Sequence, residues 1–162
     1  MPELDPRFTP RALLRALTEH GVDFVVIGGI AVIFHGAVRF TRDLDVVFAR
    51  DTANLDAMGR ALTGLRATLR GVDEELPFVA DARALDGVEL LTLSTDAGPL
   101  DVHERPKGAP EYRTLRRRAL RVEIEGFNVL VASIDDLIAM KRSAGRPLDL
   151  QDLELLEEVR RR

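Results

Sequence analysis

The sequence predicts an α/β (α+β) fold, a mixed β-sheet flanked by helices and closed by a helical C-terminal segment. Three observations carry that expectation. Asp23-Phe24-Val25-Val26-Ile27 is a short apolar run ending at Gly28-Gly29, the pattern of a buried strand that turns into a helix. Asp43-Leu44-Asp45-Val46-Val47-Phe48 sets two acids two residues apart at one end of an otherwise apolar strand. Leu120 to Glu125 and Phe127 to Val131 flank Gly126 as the arms of a hairpin, so the sheet is mixed and not purely parallel.

The elements follow in order. Thr9 is the expected N-cap of a first helix with Pro10 in its first turn, and Leu13, Leu14 and Leu17 form its apolar stripe before Gly21 stops it. After the first strand comes a small apolar helix from about Ile30 to Phe34, then the acidic strand, then a long helix from about Asp51 to Leu65. The segment that continues through residue 87 has a weaker pattern and is expected to cover or edge a cleft. Val88 to Leu93 and Leu100 to His103 read as paired strands around the turn Asp96-Ala97-Gly98-Pro99. Ser133 begins a helix with Asp136 at the capping-box position, and Gly145 and Pro147 interrupt it, so two helices end the chain. At 162 residues the chain suits a single domain, with a core at about 22–131 and C-terminal helices at about 133–160.

Composition removes several function classes. No apolar run approaches the ~20 residues that span a bilayer, and Met1 to Asp5 shows no signal-peptide pattern. With no cysteine there is no disulfide, thiolate zinc site or cysteine nucleophile, in keeping with a cytoplasmic protein that has no membrane partner. The formal charge of −4 argues against a globally basic nucleic-acid binder. Positive charge is local: Arg113, Arg116, Arg117, Arg118 and Arg121 crowd one expected helix and its exit, and Arg60, Arg66 and Arg70 mark another expected helix. These clusters are read either as solvated faces paired with acids or as a surface that steers a phosphodiester. With one tyrosine and no tryptophan, a base-stacking surface is poorly supported.

The chemistry concentrates at the first two strands. Asp43 and Asp45 point to one side of an extended segment with Cα atoms ~6.6 Å apart. Two carboxylates that close repel unless a cation or donor sits between them, and Mg²⁺ suits them because it prefers oxygen ligands and substrate phosphates. Gly28 and Gly29 allow close backbone approach at a strand-to-helix junction, and Arg39, Thr41 and Arg42 add anion-binding groups. The alternative is a pair of acids on a solvated strand.

The order Ile27-Gly28-Gly29, thirteen residues, then Asp43-Leu44-Asp45-Val46 resembles the signature of the nucleotidyltransferase superfamily, the fold shared with the polymerase beta catalytic core. That resemblance implies a third carboxylate from a later antiparallel strand, and Asp101 is the best match. Lys141, Ala144, Arg146, Asp149, Asp152 and Leu153 are similar to the helical tail of AbiEii-like bacterial nucleotidyltransferase proteins, including toxins of toxin–antitoxin systems, although the basic residues are more closely spaced here. The resemblance implies an enzyme that moves an NMP from an NTP to an acceptor hydroxyl with one or two Mg²⁺ ions. Asp43, Asp45 and Asp101 would be catalytic and metal-binding; Gly28, Gly29, Arg39, Thr41, Lys141 and Arg146 would bind nucleotide; Asp149 and Asp152 would orient the acceptor, or else serve only the helix surface. The acceptor is tRNA, protein or a small molecule, and a cognate antitoxin or toxin partner is implied. Two other readings stay open: a non-catalytic binding or antitoxin protein of the same fold, and an antibiotic nucleotidyltransferase. The three histidines match no zinc spacing; His20 and His35 read as structural, while His103 shares a strand face with Asp101 and is placed to touch substrate.

Overall fold

The computed structural model describes residues 8–71 and 80–162. Its elements run α1 (Pro10–Glu19), β1 (Phe24–Ile27), α2 (Gly28–Phe34), β2 (Leu44–Phe48), α3 (Thr52–Gly64), β3 (Thr68–Leu69), α4 (Ala82–Leu85), β4 (Leu90–Thr95), β5 (Gly98–His103), α5 (Tyr112–Arg118), β6 (Leu120–Ile124), β7 (Phe127–Val131), α6 (Ile134–Ala144) and α7 (Pro147–Arg161). The strands form one seven-stranded sheet in the order β3-β4-β5-β2-β1-β7-β6. It is mixed: β1 runs parallel to β7 and β2 parallel to β5, while the other neighbours are antiparallel. The third-acid strand is thus antiparallel to β4 but parallel to the strand that carries Asp45.

Burial explains the order. All four residues of β1 are buried, as are Leu44, Val46, Val47 and Phe48 of β2, so these two strands take the centre, where both faces of the sheet are covered. The outermost strands are the mixed-polarity β3 and β6. On α1, Leu13, Leu14 and Leu17 are the buried positions, a stripe that packs the helix on the sheet. Asp51 caps α3 by accepting from the amide of Asn54. Asn54 itself is buried and ties β1 to the end of β2: its side chain accepts from the Asp23 amide at 2.7 Å and donates to the carbonyls of Asp23 at 2.9 Å and Ala49 at 2.7 Å. A buried amide bonded on both ends fixes register without an unsatisfied polar group. The hairpin β6–β7 turns through Glu125 and Gly126 at φ of 44° and 91°, the paired positive angles of a tight primed turn.

Several element boundaries move from their expected places. Helix α2 starts at Gly28 instead of about Ile30, so both glycines lie in its first turn. The two strands around the 96–99 turn extend to Thr95 and back to Gly98. The segment after α3 contains only the two-residue β3 and the short α4, with residues 72–79 outside the described residues. Arg60, Arg66 and Arg70 share no helix: Arg60 is on α3, Arg66 follows it and Arg70 follows β3. No described helix is long and apolar enough to cross a membrane.

Candidate active site

Sheet register assembles the acids. Asp45 on β2 stands directly beside Asp101 on β5 in a parallel pair, and neighbouring strands lie about 4.8 Å apart, so two carboxylates on the same face are forced together. Asp43 sits just before β2, two residues from Asp45 and on the same side. Asp43, Asp45 and Asp101 each offer an oxygen within 4.8 Å of the others, the one such group of three possible ligands among the described residues.

The electrostatics of this cluster are unfavourable as it stands. The Asp43 pKa is pushed up to about 6, first by burial and then by the charges of Asp45 and Asp101, against the opposing pull of Arg70 and Arg39. Burial followed by the Asp45 charge also raises Asp101, although a hydrogen bond from Arg70 works the other way. His103 Nε2 lies 2.9 Å from Asp45 Oδ1, so the strand-face position foreseen for His103 brings it to an acid of the cluster. The donor set is three hard carboxylate oxygens on a partly buried surface, without thiolate. That composition fits Mg²⁺ or Mn²⁺ and does not resemble a zinc site.

Gly28 and Gly29 are required by what lies against them. Gly28 has φ +67°, and a Cβ there would stand 2.5 Å from Asp45 Oδ2. At Gly29 a Cβ would meet Arg39 Nη1 at 1.6 Å and Thr41 Oγ1 at 2.8 Å. The glycine turn is therefore a bare patch of backbone on which an acid, a guanidinium and a hydroxyl rest. Thr41 donates at 3.2 Å to the carbonyl of Asp43 and so braces the approach to β2. The linking segment alternates: Arg39, Thr41 and Asp43 are part-buried, whereas Val38, Phe40 and Arg42 are exposed.

The C-terminal helices bring a second set of charges to the same place. Lys141, Arg146 and Asp149 line a cavity of about 150 Å³ together with Gly28, Asp45 and His103. The first three are bonded among themselves. Arg146 Nε lies 2.7 Å from Asp149 Oδ2, and its backbone N–H donates to the same oxygen at 3.1 Å, which caps α7. Lys141 Nζ is 3.4 Å from Asp149 and 2.9 Å from Asp152, and Arg39 Nε is 2.7 Å from the other oxygen of Asp152. The carboxylates of Asp149 and Asp152 are both 1% exposed, so this is a ladder of alternating sign buried from Arg39 to Asp149 and open to solvent at Arg146. Neither Asp152 oxygen is aligned for a hydrogen bond, which makes its contacts ionic in character. Burial opposes the charge on Asp149, but the bonds from Arg146 and the field of Lys141 outweigh it and hold its pKa below the usual carboxylate range.

Sequence reasoning did not find the partner of Asp101. Arg70 Nη2 donates to Asp101 Oδ1 across 31 residues of chain, and nothing local marks that arginine. His20 and His35 bond to backbone carbonyls at Ala16 and Ala132, away from the acids. Of the arginines near α5, Arg116 pairs with Asp23 and Arg118 with Asp136, each at 3.0 Å, so part of that cluster is spent on structure.

Comparison with known proteins gives the family and the fold. Residues 11–157 match the family model described as nucleotidyl transferase AbiEii toxin, type IV toxin–antitoxin system. No curated protein matches the sequence. Among solved structures, the chain is similar to the lincosamide antibiotic adenylyltransferase LnuA in its lincomycin-bound form, at 13% identity and a TM-score of 0.59, over 94% of this chain and 98% of that one. It is similar to ANT(2″)-Ia in complex with adenylyl-2″-tobramycin at 14% identity and a TM-score of 0.57, over 93% and 90% of the two chains. An antigenic nucleotidyltransferase-like protein from Paracoccidioides brasiliensis follows at 16% identity and 0.52, over 96% and 78%. At these identities the likeness is one of fold.

Proposed function

Because the chain belongs to the AbiEii nucleotidyl transferase family and is a nucleotidyltransferase, we propose that it uses Mg²⁺ to transfer an NMP from an NTP to an acceptor hydroxyl, with release of pyrophosphate. The observation that carries this reading is the convergence of Asp43, Asp45 and Asp101 within 4.8 Å. Three acids in that space repel one another as anions and Arg70 offsets only one of the charges, so a divalent cation is favoured among them, and a triphosphate supplies the remaining oxygens such an ion prefers.

In this reading Asp43, Asp45 and Asp101 would hold one or two Mg²⁺, which would supply Lewis acidity to phosphoryl oxygens and favour ionisation of the attacking hydroxyl. Asp101 lies beside the acceptor and takes the hydroxyl proton. The acceptor oxygen bonds to the α-phosphorus as the bond to the β-phosphate oxygen breaks. Gly28 lines the cavity and offers its backbone to the triphosphate, while Gly29, buried beneath Arg39 and Thr41, lets the turn pack that closely. Lys141 and Arg146 face the cavity with their charges fixed by Asp149 and Asp152, so they can meet phosphate without reorganising. Arg39 and Thr41 hold the glycine turn from its other side, and Arg39 adds positive charge near the phosphates. Asp149 and Asp152 thereby act through the cations and position them and the acceptor.

As an AbiEii-type toxin the protein would act in the cytoplasm on tRNA or a protein and be held in check by a cognate partner. A small-molecule hydroxyl is the second reading, favoured by the close match in length with LnuA. Incubation of the purified protein with Mg²⁺ and each α-labelled NTP, with total RNA, with cell protein and with lincosamide or aminoglycoside drugs, separates these acceptors by where label appears. Mg²⁺-dependent NTP binding without transfer to any acceptor would leave a binding protein of the same fold.

A further inference from the structure

Arg70 is not a free surface side chain. Its Nη2 bonds to Asp101 Oδ1, its Nη1 donates to the Leu93 carbonyl at 2.9 Å, and its backbone N–H donates to the Thr92 carbonyl at 2.9 Å. Thr92 is the register partner of Asp101 across β4 and β5, so the guanidinium is anchored to the strand next to the acid it holds. The Asp101 carboxylate is 14% exposed and the Arg70 side chain 31% exposed. Arg39, the other arginine whose field reaches Asp43, is engaged by Asp152 instead. Among the described residues, Arg70 is the one arginine or lysine with an ion pair to a member of the acid cluster.

A guanidinium keeps its charge at any pH at which the protein is folded. Three carboxylates with Arg70 present a net charge of −2 to an incoming ion, and without it −3. We propose that Arg70 is a resident counter-cation that competes with a divalent ion for Asp101, so that the ion binds firmly only together with a nucleotide, whose phosphates restore the missing negative charge. This rests on the metal-dependent reading above. Its effect on metal binding has the opposite sign from that of a residue that merely orients Asp101. Loss of an orienting partner weakens metal binding, whereas loss of a fixed positive charge a few ångströms from a divalent ion strengthens it, by roughly tenfold or more in a partly exposed site.

The test is Mn²⁺ titration of the nucleotide-free protein, followed by electron paramagnetic resonance of the free ion, with thermal melting as the check on folding. Arg70→Gln is expected to bind Mn²⁺ roughly tenfold tighter than wild type, and Arg70→Lys, which retains the charge, to stay within about threefold of wild type. Arg70→Met supplies a second neutral replacement should the glutamine variant fold poorly. The ratio of Mn²⁺ affinities with and without a non-hydrolysable NTP analogue should shrink in the neutral variants. Unchanged or weaker Mn²⁺ binding in a folded neutral variant overturns the counter-cation role and leaves the metal site standing. No Mn²⁺ binding above the level of Asp45→Asn, in wild type and neutral variants alike and with or without the analogue, overturns the metal site itself and this role with it.

Discussion

Two groups of ionised side chains meet at the glycine turn, and they are built on opposite plans. On the Gly28 side, Asp43, Asp45 and Asp101 put three like charges within 4.8 Å of one another, and the pKa values of Asp43 and Asp101 are pushed up. On the Gly29 side, Arg39, Asp152, Lys141, Asp149 and Arg146 alternate in sign along one chain of contacts, and the Asp149 pKa is pushed down. Both contain acids shielded from water, so burial alone does not separate them. The neighbours do: the first group has Arg70 alone set against three acids and stays net negative, and the second supplies its own counter-charges. The lesson is that a cluster of buried carboxylates indicates chemistry when it is not neutralised internally, and architecture when it is.

The comparison is broken most severely at the acids. Asp45→Asn or Asp101→Asn removes a ligand that nothing else in the chain replaces and should lower NMP transfer by on the order of 10³-fold in a labelled-nucleotide assay, with melting behaviour preserved. Turnover within tenfold of wild type in a folded variant would refute the site. The ladder should respond the other way, in stability. Asp152→Ala leaves Arg39 and Lys141 buried without their shared counter-charge, a loss of about 3–5 kcal/mol in denaturant unfolding, because one half of a buried pair is worse than neither. A drop below about 1 kcal/mol would show the ladder to be a surface feature.

Proton linkage sharpens the contrast at intermediate size. A raised Asp43 pKa means that the metal-free native state holds a proton more tightly than the unfolded chain. Stability from this group is therefore greatest at low pH, declines as pH rises from about 4 to about 6, and is level above that. Asp149 has the reverse sign: its contribution is present above the unfolded carboxylate value and is lost only as pH falls below it. Saturating Mg²⁺ should flatten the Asp43 slope and leave the Asp149 loss in place, a difference readable by urea titration across pH 3 to 8. Divalent affinity should accordingly weaken below about pH 6, by up to tenfold per unit. A pH-independent affinity would show that Asp43 is not a ligand. The smallest effect is at His103, whose replacement by Ala removes one contact to Asp45 and should slow transfer about two- to tenfold. A loss near that of Asp45→Asn would make His103 a catalytic residue.

Much of the fold was legible because its signals are local. Pro10 and Gly21 bracket α1, with Thr9 at the N-cap position but without a side-chain cap bond; Asp51 and Ser133 cap α3 and α6, and Gly126 turns the last hairpin, through bonds or angles confined to a few residues. The α2 boundary falls two residues from its expected place because Gly28 and Gly29 read as the junction that ends β1, whereas the close approach of Asp45 and Arg39 puts both glycines inside the helix's first turn. The weak segment after α3 stayed illegible because a two-residue strand and a four-residue helix carry no periodicity. At the site, the spacing of Asp43 and Asp45 is a property of one strand and was read directly. The pairing of Lys141 and Arg146 with Asp149 and Asp152 was not, since a list of charges in order does not say which are spent on one another.

Read alone, the chain determines its longer strands and helices and its turns, and the spacing of two acids behind a glycine pair, because backbone periodicity and capping act over less than about a dozen residues. Only the tertiary structure decides that Asp101 stands beside Asp45, that Arg70 arrives at Asp101 from 31 residues away, and that the C-terminal charges lock together behind the cavity. Those outcomes depend on which strands become neighbours once β1 and β2 are buried on both faces. That choice is made by the whole core and is written in no single stretch of sequence.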